Sequence, residues 1–240
     1  MADAPAFTVQ IVPVTPFQQN CSIIRAVNGK AAVIDPGGEP EKILAAARDM
    51  KAEIVKIWLT HGHLDHAGAA EEIKRRTAAP IEGPHKEEVF WLTQIRESWR
   101  KFGIEDGEDC APDRWLDDGD ELDLEGIKFG VAFTPGHTPG HIVIFNRDAR
   151  VAFVGDVLFA GSIGRTDFPR GDHATLIRSI TEKLWPLGDD MRFIPGHGPM
   201  STFGKERQSN PFVADHLTGY QGAAVQAPDA LTQRTTKRWQ

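Results

Sequence analysis

Cysteine is scarce in this chain: of 240 residues only Cys21 and Cys110 carry a thiol, and they stand far apart. So thin a supply argues against a disulfide-stapled scaffold and fits two idle thiols in a reducing cytosol. Long apolar runs are also missing. None approaches the roughly 18 consecutive residues of a membrane span, so no membrane association is expected. Basic charge is short as well, with 27 Lys and Arg against 34 Asp and Glu and a formal net charge of -7. Binding along a phosphate backbone needs a basic surface, so nucleic acid is not an expected partner. Residues 1–6 have neither the basic nor the apolar stretch of a secretory signal, and the cytoplasm is the expected location. There is no internal repeat and no low-complexity block.

What is present is a regular alternation of strand and helix signals. Phe7, Val9 and Ile11 alternate as a half-buried strand. Residues 21–27 and 30–34 read as two more strands, joined at Asn28-Gly29, the strongest short hairpin signal. A helical stripe follows at Ile43, Leu44, Ala47 and Met50, then a strand over 53–59 and a helix over 65–77. Trp91, Ile95, Trp99 and Phe102 are spaced as one amphipathic helix over 86–102. Its rings read as core, with one Trp lining a substrate cleft as the alternative. Residues 103–120 are acidic and rich in Gly and Asp, a surface-loop composition.

The second half repeats the rhythm, with strands expected over 127–133, 141–145, 151–154 and 191–194. A helix is expected from Asp172, a plausible N-cap, with Leu176, Ile177, Ile180 and Leu184 on one face, and a last helix over 201–209. Strands inside and helices outside predict an α+β fold of two sheets packed face to face and covered by helices. One domain is expected over 1–217, with a flexible tail over 218–240.

The most informative segment is Thr60-His61-Gly62-His63-Leu64-Asp65-His66, directly after the apolar run Ile54 to Leu59. Ligands at a strand end sit on rigidly held backbone. Imidazole and carboxylate together suit zinc, iron or manganese. One turn of chain cannot aim four such groups at a single ion without crowding, so the spacing suggests two ions, or one ion with spare ligands beside it. Three further segments place a His or Asp beside Gly or Pro at a strand end: Thr134 to His141 with His137, Val154-Gly155-Asp156, and Ile194 to Pro199 with His197. Gly and Pro fix turns that point a ligand inward.

These motifs, with Gln19-Asn20-Cys21, Asp35-Pro36-Gly37-Gly38 and Gly164 to Gly171, resemble the metallo-β-lactamase superfamily over about residues 10–210. Within it the chain is similar to the short bacterial glyoxalase II-like hydrolases. The resemblance implies a four-layer αββα sandwich with the site at one edge between the sheets. It implies that His61, His63 and His137 hold a first divalent ion, that Asp65, His66 and His197 hold a second, and that Asp156 bridges them. Zinc is the favoured metal, with iron or manganese compatible. A single ion held by His61, His63, His137 and Asp156 fits the same letters.

The activity so implied is hydrolysis of a small-molecule thioester, S-lactoylglutathione, to lactate and glutathione. A metal-bound hydroxide would attack, with Asp65 and Asp156 as the catalytic carboxylates. Longer glyoxalase II enzymes carry a basic helical domain after the last metal histidine, whereas about 43 residues follow His197 here. Arg165, Lys205 and Arg207 are the candidate carboxylate binders. Two rivals stand beside this reading: an iron-dependent persulfide dioxygenase of the same superfamily, which shares the Gly164 to Phe168 segment, and a hydrolase of another small ester or thioester. Asp35 supports a metal-binding His or simply caps its turn. His141 touches substrate or is a structural, hydrogen-bonded residue.

Overall fold

The computed structural model describes residues 6–104 and 107–221. Five strands make the first sheet: β1 (Phe7–Val14), β2 (Gln19–Ala26), β3 (Lys30–Ile34), β4 (Glu53–Trp58) and β5 (Ile81–Glu82), in that spatial order. The expected hairpin at Asn28-Gly29 joins β2 to β3, which pair antiparallel. Gly29 takes φ 90°, which a side chain would resist, and Asn28 Oδ1 accepts the Lys30 amide at 3.0 Å. The second sheet contains β6 (Glu121–Leu124), β7 (Ile127–Phe133), β8 (Ile142–Asn146) and β9 (Val151–Gly155). Two later strands, β12 (Arg192–Pro195) and β13 (Ser201–Thr202), extend it beyond β9. Between β9 and β12 in sequence, β10 (Leu158–Phe159) and β11 (Ser162–Ile163) form a small separate hairpin.

Period-two alternation explains the layering. In β3, Ala31 and Val33 pack with Ile43 and Ala47 of α1 (Pro40–Asp49), whereas Ala32 and Ile34 face the other sheet. In β8, Ile142 and Ile144 join that central layer, while Val143 and Phe145 turn outward to Leu176 and Trp185. A strand covered on both faces reads as a continuous apolar run, which is why residues 142–145 show no alternation. The intersheet layer is keyed by Phe129, whose ring lies 5.3 Å from Phe7 and 5.1 Å from Trp58. Each such fully buried side chain contributes about 1.5–3 kcal/mol. Helices outside both sheets complete an αββα sandwich.

Several elements are shorter than their periodicity predicts. The expected helix over 65–77 is two pieces, α2 (Leu64–Ala67) and α3 (Ala70–Thr77). A side chain at the intervening Gly68 would meet Leu64 O at 2.5 Å and Gly37 O at 2.6 Å, so the chain turns where two backbones touch. The expected helix over 86–102 is a tight turn, Lys86–Glu88, followed by α4 (Val89–Leu92) and α5 (Ile95–Arg100). The helix after Asp172 is α6 (His173–Ser179); the Asp172 carboxylate accepts the Thr175 amide at 2.7 Å, and a wider helical turn over Ile180–Leu184 and a tighter one over Trp185–Leu187 follow. The expected last helix starts later, as α7 (Phe203–Ser209), because residues 201–202 pair with β12. The expected domain end falls inside α8 (Asp215–Thr218), and residues 222–240 of the expected tail lie outside the described residues.

Candidate metal centre

The ends of β2, β3, β4, β8, β9 and β12 meet at one edge of the sandwich, where backbone bonds sew the sheets together. Asn20 N–H donates to Gly196 O at 2.7 Å and Ile142 N–H to Thr60 O at 2.9 Å, while within the second sheet Gly196 N–H donates to Gly155 O at 2.7 Å. The four ligand-bearing segments of the sequence converge on this seam.

Two three-donor clusters stand side by side. In the first, His61 Nε2 lies 3.2 Å and His137 Nε2 3.0 Å from His63 Nδ1. In the second, Asp65, His66 and His197 approach, with His197 Nε2 3.2 Å from Asp65 Oδ2 and His66 Nε2 4.0 Å from the same carboxylate. Asp156 stands between them, its carboxylate 3.3 Å from His66 Nε2, 3.7 Å from His137 Nε2 and 3.6 Å from His197 Nε2. A third grouping, Asp35 with His61 and His66, is already satisfied. Its carboxylate accepts the Thr60 amide at 2.7 Å, the Thr60 hydroxyl at 2.6 Å and His66 Nδ1–H at 2.9 Å.

Tautomers follow from the acceptors. A carbonyl oxygen can only accept, so a ring nitrogen facing one must carry the proton. His137 Nδ1–H donates to Arg165 O at 2.7 Å and His197 Nδ1–H to Phe17 O at 3.1 Å. His66 donates to Asp35, and His61 Nδ1 faces the Thr60 hydroxyl at 3.1 Å, whose own proton goes to Asp35. Four of the five histidines therefore turn Nε2 inward, and His63 presents Nδ1 instead. This is the orientation that metal-binding imidazoles need.

The electrostatics agree. Burial, with the neighbouring imidazoles, pushes the pKa of His61 and His63 well down, and burial lowers that of His137. Burial opposes charge on His66 too, but Asp156 and Asp65 outweigh it and raise its pKa. Asp156 is buried, yet His66, His137 and His197 hold its carboxyl far below the usual range. The result is neutral nitrogen donors on one side, an ionised carboxylate in the middle, and buried atoms short of hydrogen bonds. Asp156 Oδ1 and His66 Nε2 make none and meet each other only as an ion pair at 3.3 Å. Buried polar atoms left unpaired cost about 1–3 kcal/mol each, and a divalent cation is the group that would satisfy them together. Gly196 keeps the space open, since a Cβ there would lie 2.1 Å from Asp156 Oδ1 and 2.6 Å from His66 Cε1.

A cleft of about 740 Å³ opens over the clusters, lined by His63, Asp65, His137, Asp156 and His197 together with Trp91, Phe168, Phe17, Phe102 and Phe159. Arg165 lines it too, its guanidinium paired with Asp167 at 2.9 Å and 4.4 Å over the Phe168 ring. Three expectations are corrected here. His141 does not reach the cleft; it is fully buried, stacks on His61 at 4.5 Å, and its Nε2 accepts the Asp156 amide at 3.1 Å. Lys205 and Arg207 lie outside the cleft lining, and Arg207 is tied to Asp189 and Asp215. Phe102 is 59% exposed rather than core.

Glu88 is the site residue that sequence reading missed. Fully buried, it accepts Gly62 N–H at 2.8 Å through Oε2 and Gly140 N–H at 2.6 Å through Oε1, linking the 61–66 loop to the 137–141 loop. Burial raises its pKa to about 7 against the pull of these two amides. On a helix read as amphipathic, a Glu next to Glu87 looks like a solvated face, so no local signal marks it.

The sequence model of the metallo-beta-lactamase superfamily matches residues 14–197. Among curated proteins the chain is 47% identical to the hydroxyacylglutathione hydrolase GloC of Haemophilus influenzae, over 85% of this chain and 97% of that one. Among solved structures it is similar to the BLEG-1 B3 metallo-beta-lactamase, with TM-score 0.80 and 34% identity over 86% of this chain and 99% of that one. It is also similar to TTHA1623 in a di-iron-bound form, with TM-score 0.77 and 34% identity over 85% and 100% of the two chains. Together with the αββα sandwich and the donor clusters at its seam, these likenesses establish that the chain belongs to the metallo-β-lactamase superfamily and is one of its metallo-hydrolases.

Proposed function

We propose that this protein hydrolyses a small-molecule thioester of the hydroxyacylglutathione class, S-lactoylglutathione being the first candidate, to a carboxylic acid and a free thiol. The observation that carries the reading is the pair of three-donor clusters flanking Asp156 on the floor of a cleft wide enough for such a molecule. The 47% identity to a hydroxyacylglutathione hydrolase supports the choice of thioester. His61, His63 and His137 would hold one divalent ion, and Asp65, His66 and His197 the other, with Asp156 shared. We take zinc as the metal, the same donors suiting iron and manganese. Bound there, such ions polarise an acyl carbonyl and lower the pKa of water.

The chain's own groups supply the rest. Asp35, Thr60 and the Arg165 carbonyl fix ring orientation, so little reorganisation remains for the reaction itself. Asp65, which lines the cleft, would take the proton of the attacking water. Trp91 and Phe168 screen the His63 and His137 side from bulk water. Water adds to the acyl carbon, a C–O bond forms, the C–S bond breaks, and the sulfur leaves with the bonding pair. Thiols have pKa values near 8.5, so the leaving thiolate departs without a strong general acid.

The test is release of free thiol from S-lactoylglutathione by metal-replete protein, followed with a thiol reagent. Turnover that disappears on chelation and returns with metal is expected. Oxygen uptake with glutathione persulfide, in the absence of thioester hydrolysis, would reverse the assignment in favour of a dioxygenase.

A further inference from the structure

The rings over the centre have work that lactate does not explain. Phe17 and Phe102 are 40% and 59% exposed, their rings 5.2 Å apart edge to face, and Phe17 stacks on Trp99 at 5.9 Å. Phe159 closes the same side, 6.3 Å from the His197 ring. Leu64 and Ile163 complete this wall. Exposed aromatic carbon at the mouth of a polar centre loses solvation free energy until something apolar covers it.

The charges in the cleft point the same way. Its two cationic side chains face solvent, Arg165 in a surface pair with Asp167 at 2.9 Å and Lys101 in one with Glu97 at 3.5 Å, and they suit the polar carrier of a substrate. Its acids, Asp65 and Asp156, belong to the donor clusters. The wall of Phe17, Phe102 and Phe159 itself offers apolar surface and no charge. Glutathione is polar along its whole length, so on the thioester reading only the acyl arm can supply the apolar complement. A lactoyl group, a handful of atoms with a hydroxyl, covers little of it.

We infer that the acyl specificity of this enzyme is for arms larger and more apolar than lactoyl, alkyl or aryl, seated against Phe17, Phe102 and Phe159. The inference rests on the thioester reading. It is tested with one thiol carrier and a graded acyl series: S-acetyl, S-lactoyl, S-hexanoyl and S-phenylacetyl glutathione. Covering each additional methylene is worth roughly 3- to 4-fold in transition-state binding, so kcat/KM for hexanoyl is expected to exceed that for acetyl at least about 10-fold. F102A and F159A should each shrink that ratio roughly 3-fold or more, while V27A, an exposed residue remote from the cleft, should leave it unchanged.

A second readout needs no turnover: calorimetric titration with the S-methyl and S-hexyl thioethers of glutathione. The hexyl thioether is expected to bind about 10-fold or more tightly, with the gap reduced in F102A. Equal rates and affinities across the series overturn this inference and leave thioester hydrolysis standing. Absence of cleavage of every thioester overturns the underlying reading and this inference with it. A change of oligomeric state in F102A, with the acyl ratio intact, would make the rings a contact between copies and also overturn it.

Discussion

Asp35 Oδ2 and His66 Nδ1 lie 2.9 Å apart, and the same carboxylate holds both the amide and the hydroxyl of Thr60. Asp35 does this from a left-handed backbone conformation, φ 50°, that few non-glycine residues adopt. The strain is offset by three hydrogen bonds, and its effect is to lock the strand end that carries His61 against the ring of His66. In Asp35→Asn the shape is kept and the charge is lost. Partners of this kind typically contribute 10- to 100-fold in metal affinity or activity. A loss of that size is expected, most strongly for the ion nearest His66, measured by competition with a chromophoric chelator.

Gly196 makes a steric prediction. A methyl group there must displace Asp156 or His66, because its Cβ would stand 2.1 Å from Asp156 Oδ1. Displacing a reacting group by about 1 Å costs on the order of 100-fold. Gly196→Ala is expected to lose at least that in kcat while keeping its far-ultraviolet circular dichroism.

Glu88 gives a pH dependence whose sign can be worked out. Its pKa is raised from 4.5 to about 7 in the fold, so between those values the folded state holds a proton that the unfolded chain has released. Stability from this group is then full below pH 4.5 and is lost as pH rises through about 7. The span corresponds to roughly 3 kcal/mol. In metal-free protein, the stability of wild type relative to Glu88→Gln should fall by up to that amount between pH 4.5 and 8, read from urea midpoints. Glu88→Ala strands the Gly62 and Gly140 amides and should be the least stable of the three, since each buried orphan costs about 1–3 kcal/mol.

Metal removal should lower the melting temperature, because His66 Nε2 and Asp156 Oδ1 are then buried with no hydrogen bond and only a 3.3 Å ion pair to each other. The two clusters should also separate by mutation. His197→Ala removes a donor from the second cluster only, and plasma mass spectrometry is expected to count two ions per wild-type chain and one per variant. Two ions retained in the variant would sink the assignment of His197.

How much of this was legible in the letters differs from place to place. The His61 to His66 run announces donors because no apolar core needs such a cluster, and Gly or Pro beside His137 and His197 marks turns aimed inward. The hairpin at Asn28-Gly29 is equally local. Glu88 was illegible because its partners are two backbone amides, at Gly62 and Gly140, distant in sequence. The stripe of Trp91, Trp99 and Phe102 has helical spacing whether its rings face core or cleft. Trp99 is buried, while Trp91 and Phe102 line the cleft. The short strands β5, β10 and β11 were also missed, since two residues carry no period.

The seam that sews the sheets has a consequence for the order in which the protein matures. His61 and His63 precede β5, but His137, the third member of their cluster, sits in the connection between β7 and β8 of the other sheet. Asp65 and His66 likewise wait for His197, just after β12. Chains leave the ribosome from the N-terminus at about 5–20 residues per second. An emerging chain thus carries four strong donors for several seconds before their partners exist. Neither donor cluster is complete until the second sheet docks on the first, so a full coordination set is a product of that late step.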